Sequence, residues 1–172
     1  LKIYINGIRE SLTFSGTIPA VTANDNDDFH IGSSNGTSLY YDGKTDEFRI
    51  WNTARTQTQI RANMNTSLTG TESGLVACYN FDDGSGTLLT DSAGSNDGTL
   101  NGPAWVTSDA PVFDPPGNGL SFDGTNDYVE ISGFPYIQIG PGYFATFEVW
   151  LKNPNGIVFC KNQDWHSTAN YE

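Results

Sequence analysis

The segment from Tyr41 to Asn52, YDGKTDEFRIWN, constrains the fold more than any other part of this 172-residue chain. An Asp-Gly turn leads into a stretch in which side chains alternate with the two-residue period of a β-strand. By that period Asp46, Phe48 and Ile50 share one face, and the other face takes Glu47, Arg49 and Trp51. A carboxylate beside apolar neighbours is costly unless it is hydrogen-bonded, paired or bound to a metal. The segment therefore predicts a strand with an acidic site at its start.

A second segment, FDGTNDYVEI from Phe122 to Ile131, repeats this layout of aromatic residue, Asp-Gly turn and strand. Asp127 shares a face with Val129 and Ile131 by the same two-residue period. Because the two segments are far apart in sequence, they predict the two edges of one acidic site.

Calcium is the cofactor that this acidic site predicts, because calcium takes about six to eight oxygen ligands from carboxylates and carbonyls. The predicted metal ligands are Asp42, Asp46, Asp123, Gly124, Asn126 and Asp127. No Cys or His clusters with these carboxylates in the sequence, which argues against a transition metal. A second interpretation stays open, since Asp before Gly often bonds only the backbone of its own turn.

Short patterns elsewhere predict strands joined by turns, and one helix. Leu1 to Arg9 predicts a hairpin with a type I′ turn at Asn6-Gly7, and Thr56 to Met64 predicts a helix with a Thr-x-x-Gln capping box. Further strands are expected at 14–18, 29–31, 75–81, 120–131, 145–152 and 157–160, with one or two short ones within 82–100. We expect a turn at 153–156, no partner strand for 163–172, and His30 as a surface or capping residue.

The composition excludes several classes of function. The formal net charge of −12 argues against nucleic acid and anionic membranes as partners, since both need a basic patch. Gly, Asn, Thr, Ser and Asp dominate, which favours strands and tight turns over helices. No apolar run approaches the length that spans a membrane, so membrane insertion is not expected. The lack of an initial Met and a start within a strand-like pattern indicate an excised segment.

The chain has two cysteines, Cys78 and Cys160, which is too few for a disulfide framework. The favoured interpretation is two small buried hydrophobic side chains. A bridge between them is the alternative for an extracellular protein, and the distance between the two residues distinguishes these interpretations.

Several segments together resemble the laminin-G-like, concanavalin A-like jelly-roll modules of bacterial secreted proteins. The closing half of such a module is similar to LKIYINGI, FHIGSS and YDGKTDEFRIWN with the helix that follows it. The opening half is similar to LVACYNFDDGSGTLLTDSAGSNDGTL, LSFDGTNDYVEIS, ATFEVWLK and GIVFCKN. The resemblance and the alternating segments imply an all-β fold, an antiparallel β-sandwich of jelly-roll type with one short helix.

The closing half precedes the opening half in this chain, and the middle strands that usually join them are missing. Residues 1–66 resemble the closing half, 67–74 a linker and 75–172 the opening half. The chain is either a cut from a tandem array or one permuted sandwich, since sandwich termini often lie close together. We expect a single sandwich, because a half-sandwich leaves an apolar face and strand edges open.

The resemblance implies a non-catalytic extracellular or cell-surface module for adhesion or carbohydrate binding, stabilised by calcium, in a larger multi-domain protein. Its expected partner is a glycan or an extracellular protein, and self-association through unpaired strand edges is a second expectation. Flat rings can stack on sugars, so the candidate ligand-binding residues are Tyr40, Tyr41, Trp51 and Trp150. Burial under loops or against the helix is the competing interpretation, expected for at least half of these rings.

Two other functions are weighed against this one. A purely structural repeat of a surface filament or adhesin also suits the low content of Lys and Arg. A fragment of a glycoside hydrolase is less favoured, since hydrolysis needs two carboxylates about 5 to 9.5 Å apart across a cleft. Asp46 and Glu47 are adjacent on a strand and point to opposite faces, and neither Glu130 nor Glu148 has a same-strand partner. We therefore do not expect an enzyme.

Overall fold

The computed structural model describes residues 2–11, 28–111, 117–135, 137 and 142–161, and the backbone of 166–170. The strands are β1 (Tyr4–Ile5), β2 (Ile8–Arg9), β3 (Phe29–Ile31), β4 (Asp42–Trp51), β5 (Leu75–Tyr79), β6 (Leu88–Leu89), β7 (Gly98–Asn101), β8 (Ala104–Thr107), β9 (Asn118–Asp123), β10 (Tyr128–Ile131), β11 (Thr146–Lys161) and β12 (His166–Asn170). The helix α1 spans Gln57–Asn63. Within the described ranges, no helix has the length and apolar character needed to cross a membrane. The strand predicted at 14–18 lies outside the described residues.

Strands from the two halves of the sequence alternate within one antiparallel sheet. Its order is β6-β7-β10-β3-β11-β4-β9-β8, and in addition β5 pairs with β4 and β12 pairs with β11. β3 lies between β10 and β11, and β4 lies between β11 and β9. The strands of residues 29–51 therefore have partners from residues 118–161 on both sides. The sheet is curled, and the predicted antiparallel β-sandwich class with one short helix is confirmed.

The larger of the two hydrophobic clusters among the described residues packs against this curled sheet. Its fully buried side chains include Phe29 and Phe48 from one half of the sequence and Leu120 and Val129 from the other. The rings of Phe29 and Phe159 stack with their centroids 5.7 Å apart. Burial of an apolar side chain of this size stabilises the fold by about 2 kcal/mol. Both halves of the sequence therefore contribute to the same core.

Two local predictions are confirmed residue by residue. Asn6 and Gly7 have positive φ values of 50° and 70°, which a type I′ turn requires, and β1 and β2 pair around them. The Thr56 side chain accepts from the Gln59 nitrogen at 3.3 Å, and the Thr56 nitrogen donates to Gln59 Oε1 at 2.9 Å. This is the predicted capping box, and α1 begins immediately after it.

β4 contains a bulge that the alternation of its sequence does not reveal. Glu47 has a φ of 52°, and the register between β4 and β11 shifts beside it. Before the bulge Thr45, which pairs with a core residue of β9, faces the core and Asp46 faces away. After the bulge Phe48 and Ile50 face the core. The prediction that Asp46 shares a face with Phe48 and Ile50 is therefore wrong, because the extra residue reverses the alternation.

β11 runs as one strand of 16 residues through the turn predicted at 153–156. Asn153 and Gly156 have positive φ values of 53° and 100°, and the register with β4 shifts within this stretch. The turn residues therefore form an irregularity within a continuous strand, and the predicted reversal of the chain is wrong. Pairing with β4 along its first part and with β3 along its last part keeps β11 extended.

Other predictions for β11 have different outcomes. Its first part alternates as predicted, since Phe147, Val149 and Leu151 pack against the core. Its last part pairs with β12, so the expectation that residues 163–172 lack a partner strand is wrong for 166–170. The sequence pattern of residues 166–170 does not indicate this pairing, because the register between strands is a tertiary property.

The cysteines and His30 are buried. Cys78 has a free thiol and lies buried in β5, and Cys160 lies buried in β11. The interpretation of two buried hydrophobic side chains is therefore confirmed, and burial raises the pKa of Cys78 to about 12.

The His30 side chain is only 8% exposed. The expectation of a surface histidine is wrong, because β3 is an inner strand and not an edge.

Candidate functional site

The two Asp-Gly turns lie side by side at one end of the β4–β9 pair. Asp42 and Asp123 are direct cross-strand partners, and both side chains are exposed. The Gly124 nitrogen donates to the Tyr41 carbonyl at 3.0 Å. Gly124 has a φ of 78°, and a Cβ there would lie 3.0 Å from the Asp42 Cβ, so the turn requires a glycine. The structure therefore brings Asp42, Asp123 and Gly124 together.

The carboxylates of the second turn accept hydrogen bonds from its own backbone. Asp123 Oδ1 accepts from the Thr125 nitrogen at 2.8 Å, which is an Asx-turn. Asp127 Oδ2 accepts from the Asp123 nitrogen at 3.0 Å. Burial raises the pKa of the Asp127 carboxyl, and this hydrogen bond opposes the shift. Asn126 is exposed in the same turn, so the structure keeps Asp123, Asn126 and Asp127 within one turn.

Asp46 lies apart from these turns. It is four residues along β4 from Asp42, a rise of about 13 Å at roughly 3.3 Å per residue. Its carboxylate accepts from the Glu47 nitrogen at 2.7 Å and from the Ser108 hydroxyl. Burial raises the pKa of Asp46 to about 7, although the bond from Ser108 lowers it. The structure therefore makes Asp46 an anchor for the segment after β8 and does not bring it to the Asp42–Asp123 pair.

Calcium binding at the turns stays a prediction. Across the described ranges, no three Cys, His, Asp or Glu side chains are arranged to hold a metal ion. A calcium ion at the turns would use the carboxylates of Asp42 and Asp123, with its other oxygens from backbone carbonyls and solvent. Calcium sites commonly include such oxygens, so the donor chemistry of the paired turns fits this cation.

The four rings predicted as a ligand platform differ in exposure. Trp51 and Tyr41 are buried, with 0% and 1% of their surface exposed, and the Arg55 guanidinium lies 3.8 Å from the centroid of the Trp51 ring. Tyr40 and Trp150 are half-buried. Two of the four rings are therefore part of the interior, and only Tyr40 and Trp150 keep a surface that a ligand can contact.

Two buried carboxylates meet at Arg49. Its guanidinium lies 2.6 Å from Glu47 Oε2 and 3.9 Å from Glu148 Oε2, and it donates to the carbonyls of Asn63 and Thr66 at 2.8 and 2.6 Å. Burial raises the pKa of both carboxyls, and the positive charge of Arg49 lowers it again. The cluster holds the end of α1 and the residues after it against β4.

A further group of polar side chains, which the sequence analysis did not identify, joins β3 and β10. His30 Nε2 lies 3.8 Å from Glu130 Oε2, and the ring centroids of His30 and Tyr128 are 5.8 Å apart. The Glu130 side chain is 37% exposed and Tyr128 is half-buried. The alternation of β10 already places Tyr128 and Glu130 on the face away from the core, whereas the cross-strand pairing with His30 depends on register. This face combines an aromatic ring with a carboxylate and an imidazole.

The comparisons with known proteins bear on the first part of the chain. Residues 1–61 match the family model of the concanavalin A-like lectin/glucanases superfamily, in its laminin G form. No curated protein and no solved structure matches the chain. The matched residues include β3 and β4, which are inner strands of the sheet, and the antiparallel fold is consistent with a concanavalin A-like β-sandwich. The resemblance to the concanavalin A-like lectin/glucanases superfamily is therefore confirmed over residues 1–61.

Proposed function

We propose that this chain is a non-catalytic module that binds carbohydrate or mediates adhesion. The observation that carries the proposal is the match of residues 1–61 to a superfamily whose description names lectins and glucanases. The outer face beside β3 supports it, because Tyr128 offers a ring that can stack on a sugar. Glu130 adds a partly exposed acceptor for sugar hydroxyls, and Trp150 adds a second half-buried ring on β11.

The environment of the buried carboxylates supports binding rather than hydrolysis. Glycoside hydrolases place two carboxylates across an open cleft, about 5 to 9.5 Å apart. Glu47 and Glu148 both contact Arg49, and their side chains are only 8% and 13% exposed. The enclosure of these two carboxylates beside a guanidinium supports a structural role for them rather than contact with a glycosidic bond.

The setting that suits this function is extracellular or on the cell surface, within a larger multi-domain protein. The net charge of −12 and the pairing of Asp42 with Asp123 support stabilisation by calcium at the two turns. The partner is a glycan or an extracellular protein. A purely structural repeat of a filament or adhesin, which associates through strand edges, is the second candidate. The burial of Trp51 and Tyr41 favours it, because a buried ring offers no ligand platform.

A glycan-array screen followed by calorimetry tests the binding function. We expect a carbohydrate ligand whose affinity falls about tenfold in Tyr128→Ala or Trp150→Ala, since a lost ring contact is worth on the order of 1 kcal/mol. Tyr143→Ala is the matched control, because Tyr143 is 51% exposed before β11 and belongs to neither surface. The absence of any glycan ligand, with and without calcium, would favour the structural repeat.

Thermal unfolding of metal-free protein tests the calcium proposal separately. A cation that binds only the folded chain raises the melting temperature by mass action. We expect the melting temperature to rise in millimolar calcium and to fall again with a chelator, and Asp42→Asn to abolish the response. Asp46→Asn should keep the response, because Asp46 lies apart from the turns. Superimposable melting curves in calcium and chelator would leave the turns without a metal.

A further inference from the structure

The surroundings of Glu148 contain more buried polar atoms than the direct contacts there satisfy. Both Glu148 carboxylate oxygens, Trp51 Nε1 and the Nε atoms of Arg49 and Arg55 are buried without a hydrogen-bond partner in the part of the chain that the structure describes. Buried polar atoms are paired in the great majority of proteins, because an unmade hydrogen bond in the interior is costly. A group of such atoms around one carboxylate therefore needs an explanation.

The spacing of the charged groups indicates a bridged contact. Arg49 Nη1 lies 3.9 Å from Glu148 Oε2, and Arg55 Nε lies 4.0 Å from Glu148 Oε1. A direct N–H···O bond measures about 2.7 to 3.2 Å, so neither pair makes one. A water oxygen about 2.8 Å from both atoms of such a pair lies to one side of the line between them, and ordered waters commonly bridge polar atoms in this way.

The side chains around Glu148 are held in place. The Arg55 nitrogen donates to Thr146 Oγ1 at 2.9 Å, and its guanidinium lies over the Trp51 ring. The Trp51 indole lies close enough to lower the pKa of Glu148, which burial raises, but the pair lacks the distance or angle of a hydrogen bond. The side chains of Arg55 and Glu148 are only 10% and 13% exposed. The polar atoms around Glu148 are therefore buried, and they come from β4, the segment after it and β11.

The donors and acceptors around Glu148 are those that a water molecule can satisfy. The indole N–H and the guanidinium N–H can only donate, and an ionised carboxylate can only accept. A water molecule accepts from two donors and donates to two acceptors, and buried waters usually make about three such bonds. We propose that Trp51, Arg55 and Glu148 hold an ordered internal water molecule. That water links β4, the segment after β4 and β11, and it is independent of any carbohydrate or calcium ligand.

Nuclear magnetic resonance on the intact chain tests the site in solution. The Trp51 indole resonance is assigned by its loss in Trp51→Phe. We expect a cross-relaxation peak between this indole proton and water, with the sign that a long-lived bound water gives. The Trp105 indole is the matched control, because it donates directly to the Gly86 carbonyl at 2.9 Å. Its proton should show no such peak.

A crystal structure of the unmodified chain is the deciding measurement, since it needs no variant to fold. We expect a water oxygen within hydrogen-bond distance of Trp51 Nε1 and of the Glu148 carboxylate. Direct bonds from Trp51 and Arg55 to Glu148, with no density between them, would overturn the proposal whatever the resonance experiment gives.

Discussion

Arg49 satisfies groups from three parts of the chain. Its guanidinium pairs with Glu47 on β4 and lies near Glu148 on β11, and it donates to the carbonyls of Asn63, at the end of α1, and of Thr66. The Arg49 side chain is only 3% exposed, so solvent cannot replace these contacts. Loss of one partner of a buried ion pair leaves the other charge without compensation.

We expect Arg49→Met to lower the free energy of unfolding by about 3 to 5 kcal/mol, measured by urea denaturation. Arg61→Met is the matched control, because Arg61 is exposed and donates one bond to the Gly7 carbonyl at 2.8 Å. Its cost should stay below about 1.5 kcal/mol. Equal losses in the two variants would show that the Arg49 cluster is no more important than a surface contact.

Asp46 should make the stability of the protein depend on pH. Burial raises its pKa from 3.8 to about 7 in the folded chain, so folding favours the protonated carboxyl. The stability that this group contributes is fully present below about pH 4 and is lost as the pH rises through 7. Asp46→Asn keeps a neutral side chain. Between pH 5 and 8 its free energy of unfolding should therefore fall by about 3 kcal/mol less than that of the unmodified chain.

Urea denaturation at several pH values, in the presence of a chelator, measures this difference. Glu47, Asp127 and Glu148 also have raised pKa values and act in the same direction, but both proteins contain them. The contributions of Asp127 and Glu148 therefore cancel in the comparison, whereas the charge of Glu47 acts directly on Asp46 and is part of the difference. Parallel pH profiles for the two proteins would rule out Asp46 as the source.

At the scale of elements, the irregular stretch of β11 depends on Gly156. Its φ is 100°, and a Cβ there would lie 2.4 Å from the Tyr40 carbonyl oxygen. Gly156→Ala should therefore lower the melting temperature more than Gly133→Ala does. Gly133 has a φ of 63° with no atom within 4 Å of a Cβ, so its substitution adds only the left-handed backbone strain, about 1 to 2 kcal/mol. Equal shifts in melting temperature would mean that the contact with Tyr40 is not restrictive.

The elements that could be predicted from sequence are those whose causes are local. The Asn6-Gly7 turn and the Thr56 capping box depend on residues a few positions apart, and both form as expected. The bulge at Glu47 and the continuous path of β11 through Asn153 depend on which strands lie alongside. No pattern within β4 or β11 contains that information, because register is set by partners distant in sequence.

The residues of the candidate site also differ in whether the sequence alone could place them. The Asp42 and Asp123 turns could be paired in advance from their repeated pattern, and they are cross-strand partners. The position of Asp46 could not, because the bulge reverses its face. The contact of His30 with Glu130 also depends on tertiary pairing, since the two residues lie opposite each other on β3 and β10.

At the scale of the whole molecule, the pairing of strands predicts that a cut between residues 65 and 74 leaves one particle. β4 lies before this segment, and its partners β5, β9 and β11 lie after it. An engineered protease site there should give two fragments that elute together in size exclusion and unfold in one transition. Two fragments that separate and stay folded on their own would contradict the prediction. The same digest in denaturant is the control for complete cleavage.

The interleaved strand order also determines when each strand can find its partner during synthesis. The ribosome makes β3 and β4 early, but β11, which pairs with both, is complete only when Lys161 has emerged. Until then the edges of β3 and β4 that pair with β11 stay open to other nascent chains, and pairing across such long separations is slow. The segment that matches the superfamily is therefore made before the strands that complete its part of the sheet. Its yield in a cell should depend on chaperones that hold extended chains during that interval.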